Sequence, residues 1–441
     1  MNTTQESFLM LKYMSYKRYT TRRGEKMKTK AANQVKYALF GALLGSCAGA
    51  VVWVFLKVMA MGTEFVWEWI PGKWNISFYP VIIGVIGGVL MGLLHKYGGD
   101  YPEELGTVLG KIKKEKHYGY DKMLLILLCA MIPLVMGSSV GPEAGLVGII
   151  SALCYWVSDN MKLAHEDAKN YSEVGIAVSL SVLFHAPLFG LFAVEEDKKN
   201  ESIGELTKST KFVIYGLAIA ASLGVYQGLS HLFGAGLAGF PSFASVELTL
   251  VDYGMMIVYM IAGCLLAVFY EATHRGFHKI ANGIPVGIRE VFGGLLLGLV
   301  GTFVPAVMFS GEEQMAHLTE NYLGYAPLFM IVAAFLKIAL TNACIMHGLR
   351  GGHFFPVIFA GACAGYGIAM LVFTESTGHV AFGAAIVTAT LLGATMKKPL
   401  AVAMLLMICF PVRMCVWIFL AAVIGSKVFT REEEKEDLPS R

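Results

Sequence analysis

Two glycine-rich stretches each end in a proline able to open a helix: Gly137 to Pro142, reading GSSVGP, and Gly351 to Pro356, reading GGHFFP. Proline suits a first helical turn because its missing N–H would lack a partner there, and the glycines before it let a ligand approach the backbone closely. The result is a set of free N–H groups at the positive end of a helix dipole. That is anion chemistry. Partial charges can stabilise a dehydrated anion in a dry cavity, whereas a full Lys or Arg charge would hold it too tightly for rapid release.

Titratable residues stand close to these breaks. Glu143 lies in the first turn of the helix opened by Pro142, where an acid is favoured simply because it neutralises the dipole. The competing reading is that it reaches the ligand path. Arg350 immediately precedes the second break, and an intramembrane cation is a functional candidate. It either raises the anion concentration in a vestibule or pairs with an acid such as Asp100 or with a lipid headgroup. His353 is expected to point away from the path, with pH sensing as the alternative. Glu195, Glu196 and Asp197 follow the Pro187 helix beside Lys198 and Lys199, and read either as a solvated helix end or as a proton relay.

The elements that must position these residues belong to a membrane protein. Of 441 residues, 56% are hydrophobic and 15% charged, against roughly a quarter charged in soluble domains, and the mean hydropathy is +0.60. Apolar runs recur at Ala38 to Leu56, Val81 to Leu94, Met123 to Met136, Met255 to Tyr270 and Leu400 to Val428. Some reach the roughly 20 residues that cross a hydrocarbon core; the shorter ones predict helices that stop inside the membrane. Between Met1 and Ala31 there are eight Lys or Arg against two Glu, which places that end in the cytoplasm beside anionic lipid rather than nucleic acid. The apolar region starts too late to read as a cleavable leader. All eight Cys fall in apolar stretches without CxxC or CxxH spacing and read as packing residues, so no metal or other cofactor is expected.

Three landmarks recur in order along the chain. The acids Glu103 and Glu104 return as Glu312 and Glu313, 209 residues on; the break ending at Pro142 returns at Pro356, 214 on; Pro187-Leu188 returns as Pro399-Leu400, 212 on. Three ordered matches imply a duplication of about 210 residues. The expected organisation is a basic segment 1–33, a first membrane repeat 34–232, a linker 233–248, a second repeat 249–430 and a charged tail 431–441. Repeats inverted about an axis in the membrane plane place a site at the midplane, where interrupted helices from both halves meet.

The motifs resemble those of the CLC family of chloride channels and proton/chloride antiporters. Gly352-His353-Phe354-Phe355-Pro356 is similar to its GxFxP signature, Ser139-Val140-Gly141-Pro142 to G[K/R]EGP, and His185-Ala186-Pro187-Leu188-Phe189-Gly190 to NAPLxG followed by two acids. Gly98-Gly99-Asp100-Tyr101-Pro102-Glu103 is a weaker echo of GSGIPE. The resemblance implies an all-α, polytopic fold of tilted and re-entrant helices in two inverted repeats. It also implies a homodimer with one pore per subunit, and an anion path along Gly99, Ser138, Ser139, Val140, Gly141, Gly352, His353, Phe354 and Phe355.

Departures from the family pattern shape the expected mechanism. The gating Glu of G[K/R]EGP is Val140 here, which carries neither charge nor proton. Gly99 stands where the family has an anion-binding Ser, and no Tyr follows Lys427-Val428-Phe429 to supply the second hydroxyl. These differences predict passive conduction of chloride and similar anions with little proton coupling and broad selectivity. The alternatives are an antiporter using Glu143 or Glu196, and fluoride export, whose branch of the family keeps the gate Glu. A metal-dependent intramembrane enzyme is disfavoured, because His185, His347 and His353 lack ligand spacing.

Overall fold

The computed structural model describes residues 38–74, 76–115, 118–160, 165–195, 208–234, 241–243, 245, 247–373 and 377–429. The basic segment 1–33 and the tail 431–441 lie outside them. Sixteen helices run through the described chain in two series of eight. The first is α1 (Ala38–Lys73, with a π-helical turn at Phe65–Trp69), α2 (Tyr79–Gly98), α3 (Leu105–Glu115), α4 (Met123–Val135), α5 (Glu143–Asn160), α6 (His165–Leu183), α7 (Pro187–Glu195) and α8 (Lys208–Phe233). The second is α9 (Leu250–Asn282), α10 (Ile288–Phe303), α11 (Glu312–Asn321), α12 (Pro327–Met346), α13 (Phe354–Ala369), α14 (Thr377–Met396), α15 (Pro399–Leu406) and α16 (Cys415–Gly425).

Backbone conformation carries the duplication further than the side chains do. Left-handed residues occur at matching places in both series: Phe78 and Gly287 before α2 and α10, Gly99 and Gly311 before α3 and α11, Gly137 and Gly348 after α4 and α12, and His185 and Lys397 after α6 and α14. At three of these helix ends, the N–H one residue further on reaches back five residues: Ser138 to the Pro133 carbonyl, Ala186 to Ser181 and Leu349 to Cys344. This closure satisfies carbonyls that the helix leaves without a partner. Phe78, His185 and Lys397 adopt the conformation despite carrying a Cβ, so three of these turns carry no glycine signal in the sequence.

Among the described residues, six helices are long and apolar enough to cross a membrane. Others are short: α4 has 13 residues, α7 has 9 and α15 has 8. Nine residues make only about 14 Å of helix, less than half of a hydrocarbon core of about 30 Å. The apolar run Leu400 to Val428, continuous in sequence, is divided: α15 ends at Leu406, and Pro411 starts a 3₁₀ turn at Val412–Met414 before α16. Large apolar side chains such as Leu250, Ile257, Ile261 and Leu265 of α9 are exposed, as lipid contact requires.

The two halves interlock through small residues. Gly84, Gly88 and Gly92 of α2 lie against Gly294, Glu290 and Gly287 at the start of α10, and a methyl group at Gly84 or Gly294 would collide with the other's carbonyl. Close backbone approach of this kind maximises dispersion contact where lipid removes the usual hydrophobic drive. Deeper in, α13 is buried along almost its whole length between α12 and α14, which fixes the second break at the centre of the fold.

Candidate functional site

The breaks meet. Gly141 N–H donates to the Gly352 carbonyl and Gly352 N–H to the Gly141 carbonyl, both at 2.7 Å, in an isolated antiparallel bridge. Helices α5 and α13 therefore start next to each other, one from each half. Among the described residues this bridge is the only β-type pairing.

Glu143 crosses the seam. Its Oε1 accepts the Phe354 N–H at 2.7 Å. The residue is 3% exposed, and Oε2 has no partner. The acid of the first half thus caps the helix of the second. Proximity explains why. With Gly141 and Gly352 paired, the first turn of α5 faces the backbone N–H groups that open α13, and charged acceptors to backbone N–H groups are stronger than neutral ones.

Glycine is required beneath this carboxylate. A Cβ on Gly352 would overlap the Glu143 carboxyl group, and one on Gly141 would strike Glu143 Oε2 and the Phe355 ring. Val140 is fully buried with its methyl groups against Gly351. Ser139 Oγ lies 3.0 Å from Thr341 Oγ1 of α12, so its hydroxyl is engaged across the halves. The Ser138 hydroxyl is buried and without a partner.

Aromatic rings wall the seam. Phe355 stacks on Phe184 at 4.5 Å between centroids, and Phe354 lies 6.2 Å from Phe184 and 6.4 Å from Phe189, which joins α13 to the α6–α7 turn. The His353 ring packs between Tyr270 at 5.9 Å and Phe354 at 4.8 Å.

Gly99 takes part less directly. Its N–H is used by the His95 carbonyl, and its neighbour Asp100 forms an ion pair with Arg350 and a longer one, 3.4 Å, with Arg289. The Arg350–Asp100 pair is one of the partnerships its position suggested. His95 ties the same corner together, with Nδ1 3.0 Å from Glu290 Oε1 and Nε2 2.8 Å from the Tyr101 carbonyl. Glu195 ends α7, whereas Glu196, Asp197 and the lysines after them lie outside the described residues.

Two buried ionisable residues escaped the sequence reading as site residues. Lys337 of α12 is 0% exposed and donates to the carbonyls of Val307, Met308 and Phe309 at 3.1, 3.1 and 2.6 Å. Phe309 N–H in turn donates to the Gly137 carbonyl at 3.0 Å, so Lys337 braces the first break from the second half. A lone Lys in an apolar 20-residue helix was the available signal. Glu312, noticed only as a repeat landmark, is 3% exposed with Oε2 unpartnered.

Residues 87–430 match the sequence model of the voltage gated chloride channel family. The chain belongs to this CLC family. It is 24% identical over 356 residues to chloride channel protein CLC-e of Arabidopsis thaliana, an alignment that covers 73% of this chain but only 48% of that protein. It is 25% identical over 344 residues to the voltage-gated ClC-type chloride channel ClcB of Escherichia coli, covering 74% and 77%. Among solved CLC structures, a CLC-type fluoride/proton antiporter superposes with a TM-score of 0.71 at 18% identity, covering 89% of this chain and 94% of the other. A slow cyanobacterial Cl⁻/H⁺ antiporter gives 0.73 at 16%, with the same coverage. At these identities the superpositions establish the CLC fold, as the motifs predicted.

Proposed function

We propose that this CLC protein carries chloride and related small anions passively through the seam where α5 and α13 begin, and that the Glu143 carboxylate occupies the anion's place when the seam is closed. One observation supports this above all: the helix terminus best suited to an anion already holds one, at 2.7 Å from Phe354 N. The backbone amides that open α13 would serve a chloride ion equally well once Glu143 leaves. Conduction then requires that carboxylate and anion exchange. The buried, unpartnered Ser138 hydroxyl is one that this chain can offer the anion in place of the family's missing Ser and Tyr.

A second reading is proton-coupled exchange, because a carboxylate in the seam restores the chemistry that Val140 lacks, and two structural neighbours are named as antiporters. Simultaneous chloride and proton recording from liposomes separates the two. Passive conduction predicts chloride efflux without uphill proton movement in the wild type, and sustained proton pumping under a chloride gradient would overturn it. Val140→Glu tests the gate position itself and should introduce proton coupling if that position still faces the path.

We further infer a cell-membrane protein with residues 1–33 in the cytoplasm, from their excess of Lys and Arg. A homodimer with one pore per subunit, embedded in lipid, follows from the family.

A further inference from the structure

Among the described residues, Lys337 is a buried cation paired with no carboxylate. It stands eleventh of the 20 residues of α12, near the middle of a helix long enough to cross the membrane. Its Nζ donates to the carbonyls of Val307, Met308 and Phe309. Three acceptors on one nitrogen match the three N–H donors of an ammonium, whereas a neutral amine would have only two. What else faces the ammonium is the Phe359 ring, with its centroid 5.4 Å from Nζ, and the thiols of Cys344 and Cys363. Carbonyls solvate an ammonium but leave its charge uncancelled, and an uncancelled charge inside a membrane is costly enough to be a functional candidate. The seam is close by. Thr341, one turn further along α12, meets the Ser139 hydroxyl at 3.0 Å, and Phe309, whose carbonyl holds the ammonium, donates its N–H to the Gly137 carbonyl at 3.0 Å. The first break itself, GSSVGP, contains no cation.

We propose that the Lys337 ammonium is the fixed positive charge that draws the anion into the seam, and that the anion is its missing counter-ion. The proposal rests on the reading of the seam given above. All three N–H groups are committed to carbonyls, so Lys337 acts through space, as a positioning residue rather than as an anion ligand. A cation held back from the path attracts an anion without the close contact that would slow its release. The brace and the charge are thus two roles of one side chain: the carbonyls fix the ammonium, and the ammonium sets the sign of the ion that the seam accepts.

The test is initial chloride efflux from liposomes over a series of chloride concentrations. Lys337→Gln keeps a donor for the carbonyls and removes the charge, so the half-saturating chloride concentration should rise about tenfold, the order expected of a unit charge acting through protein. Lys337→Arg keeps the charge and should half-saturate at a lower concentration than the Gln variant. Cys344→Asp leaves Lys337 in place but gives its ammonium a counter-ion, so it too should raise the half-saturating concentration, while the neutral Cys344→Asn should not. This second pair decides the matter if Lys337→Gln does not fold. A wild type that moves no chloride defeats the reading of the seam. A half-saturating concentration that folded Lys337→Gln or Cys344→Asp leaves unmoved, or that Cys344→Asn raises as much as Cys344→Asp, overturns the role of the Lys337 charge alone.

Discussion

The two breaks share a backbone plan and differ in what their helices offer. Each follows a helix closed by a left-handed glycine, Gly137 or Gly348, and each opens a helix that is largely buried. The first turn of α5 contains an acid, Glu143, whereas the first turn of α13 contains none. The terminus of the second half therefore has no acid of its own, and the first half supplies the carboxylate that fills it. Duplication made two equivalent termini; a single side chain made them unequal. Breaking that inequality should have larger consequences than loosening the frame around it.

The strongest expected effect comes from Glu143→Gln. Hydrogen bonds to a charged acceptor contribute about 1.5–3 kcal/mol, against about 1 kcal/mol for neutral ones. Removing the charge should raise chloride efflux at neutral pH by about tenfold, as read by a chloride electrode. Unaltered efflux would mean that Glu143 does not compete for the seam. Next comes Gly352→Ala, whose methyl group overlaps the Glu143 carboxyl group. It should displace the acid and lower thermal stability by about 1–3 kcal/mol, whereas Ala at Gly216, which meets nothing within 4 Å, should not.

Lys337→Met probes the brace between the halves. It leaves the carbonyls of Val307, Met308 and Phe309 without their donor, and one or more unsatisfied buried groups cost about 1–3 kcal/mol each. A fall in melting temperature of several degrees is expected in detergent, and an unchanged melting curve would assign those carbonyls other partners. The smallest effect should follow Arg350→Gln. The Asp100 partner is 48% exposed and shared with Arg289, and exposed pairs contribute under about 1 kcal/mol. Efflux should fall no more than about threefold, and raising the salt concentration should shrink the difference, since mobile ions screen exposed charge.

Much of the architecture was legible before any coordinates. Hydropathy marked a polytopic chain, short runs marked helices that end within the membrane, and Gly351 to Pro356 against Gly137 to Pro142 marked both the duplication and the seam. These signals are local: proline and glycine act on their own backbone, and a run of apolar side chains selects its solvent whatever lies next to it. The division of Leu400 to Val428 at Pro411 was less visible, because the run stays apolar on both sides of the proline.

What the sequence determined by itself, then, is where helices start, stop and enter lipid. Tertiary structure alone decided which groups those ends serve. Glu143 and Phe354 are 211 positions apart, and Arg350 and Asp100 are 250 apart, so no helical or turn spacing links them. The left-handed turns at Phe78 and Lys397 are likewise imposed by surroundings, since neither side chain favours that conformation. Buried charges follow the same rule: Lys337 reads as an isolated oddity in the chain, and acquires meaning only from the carbonyls that packing brings to it.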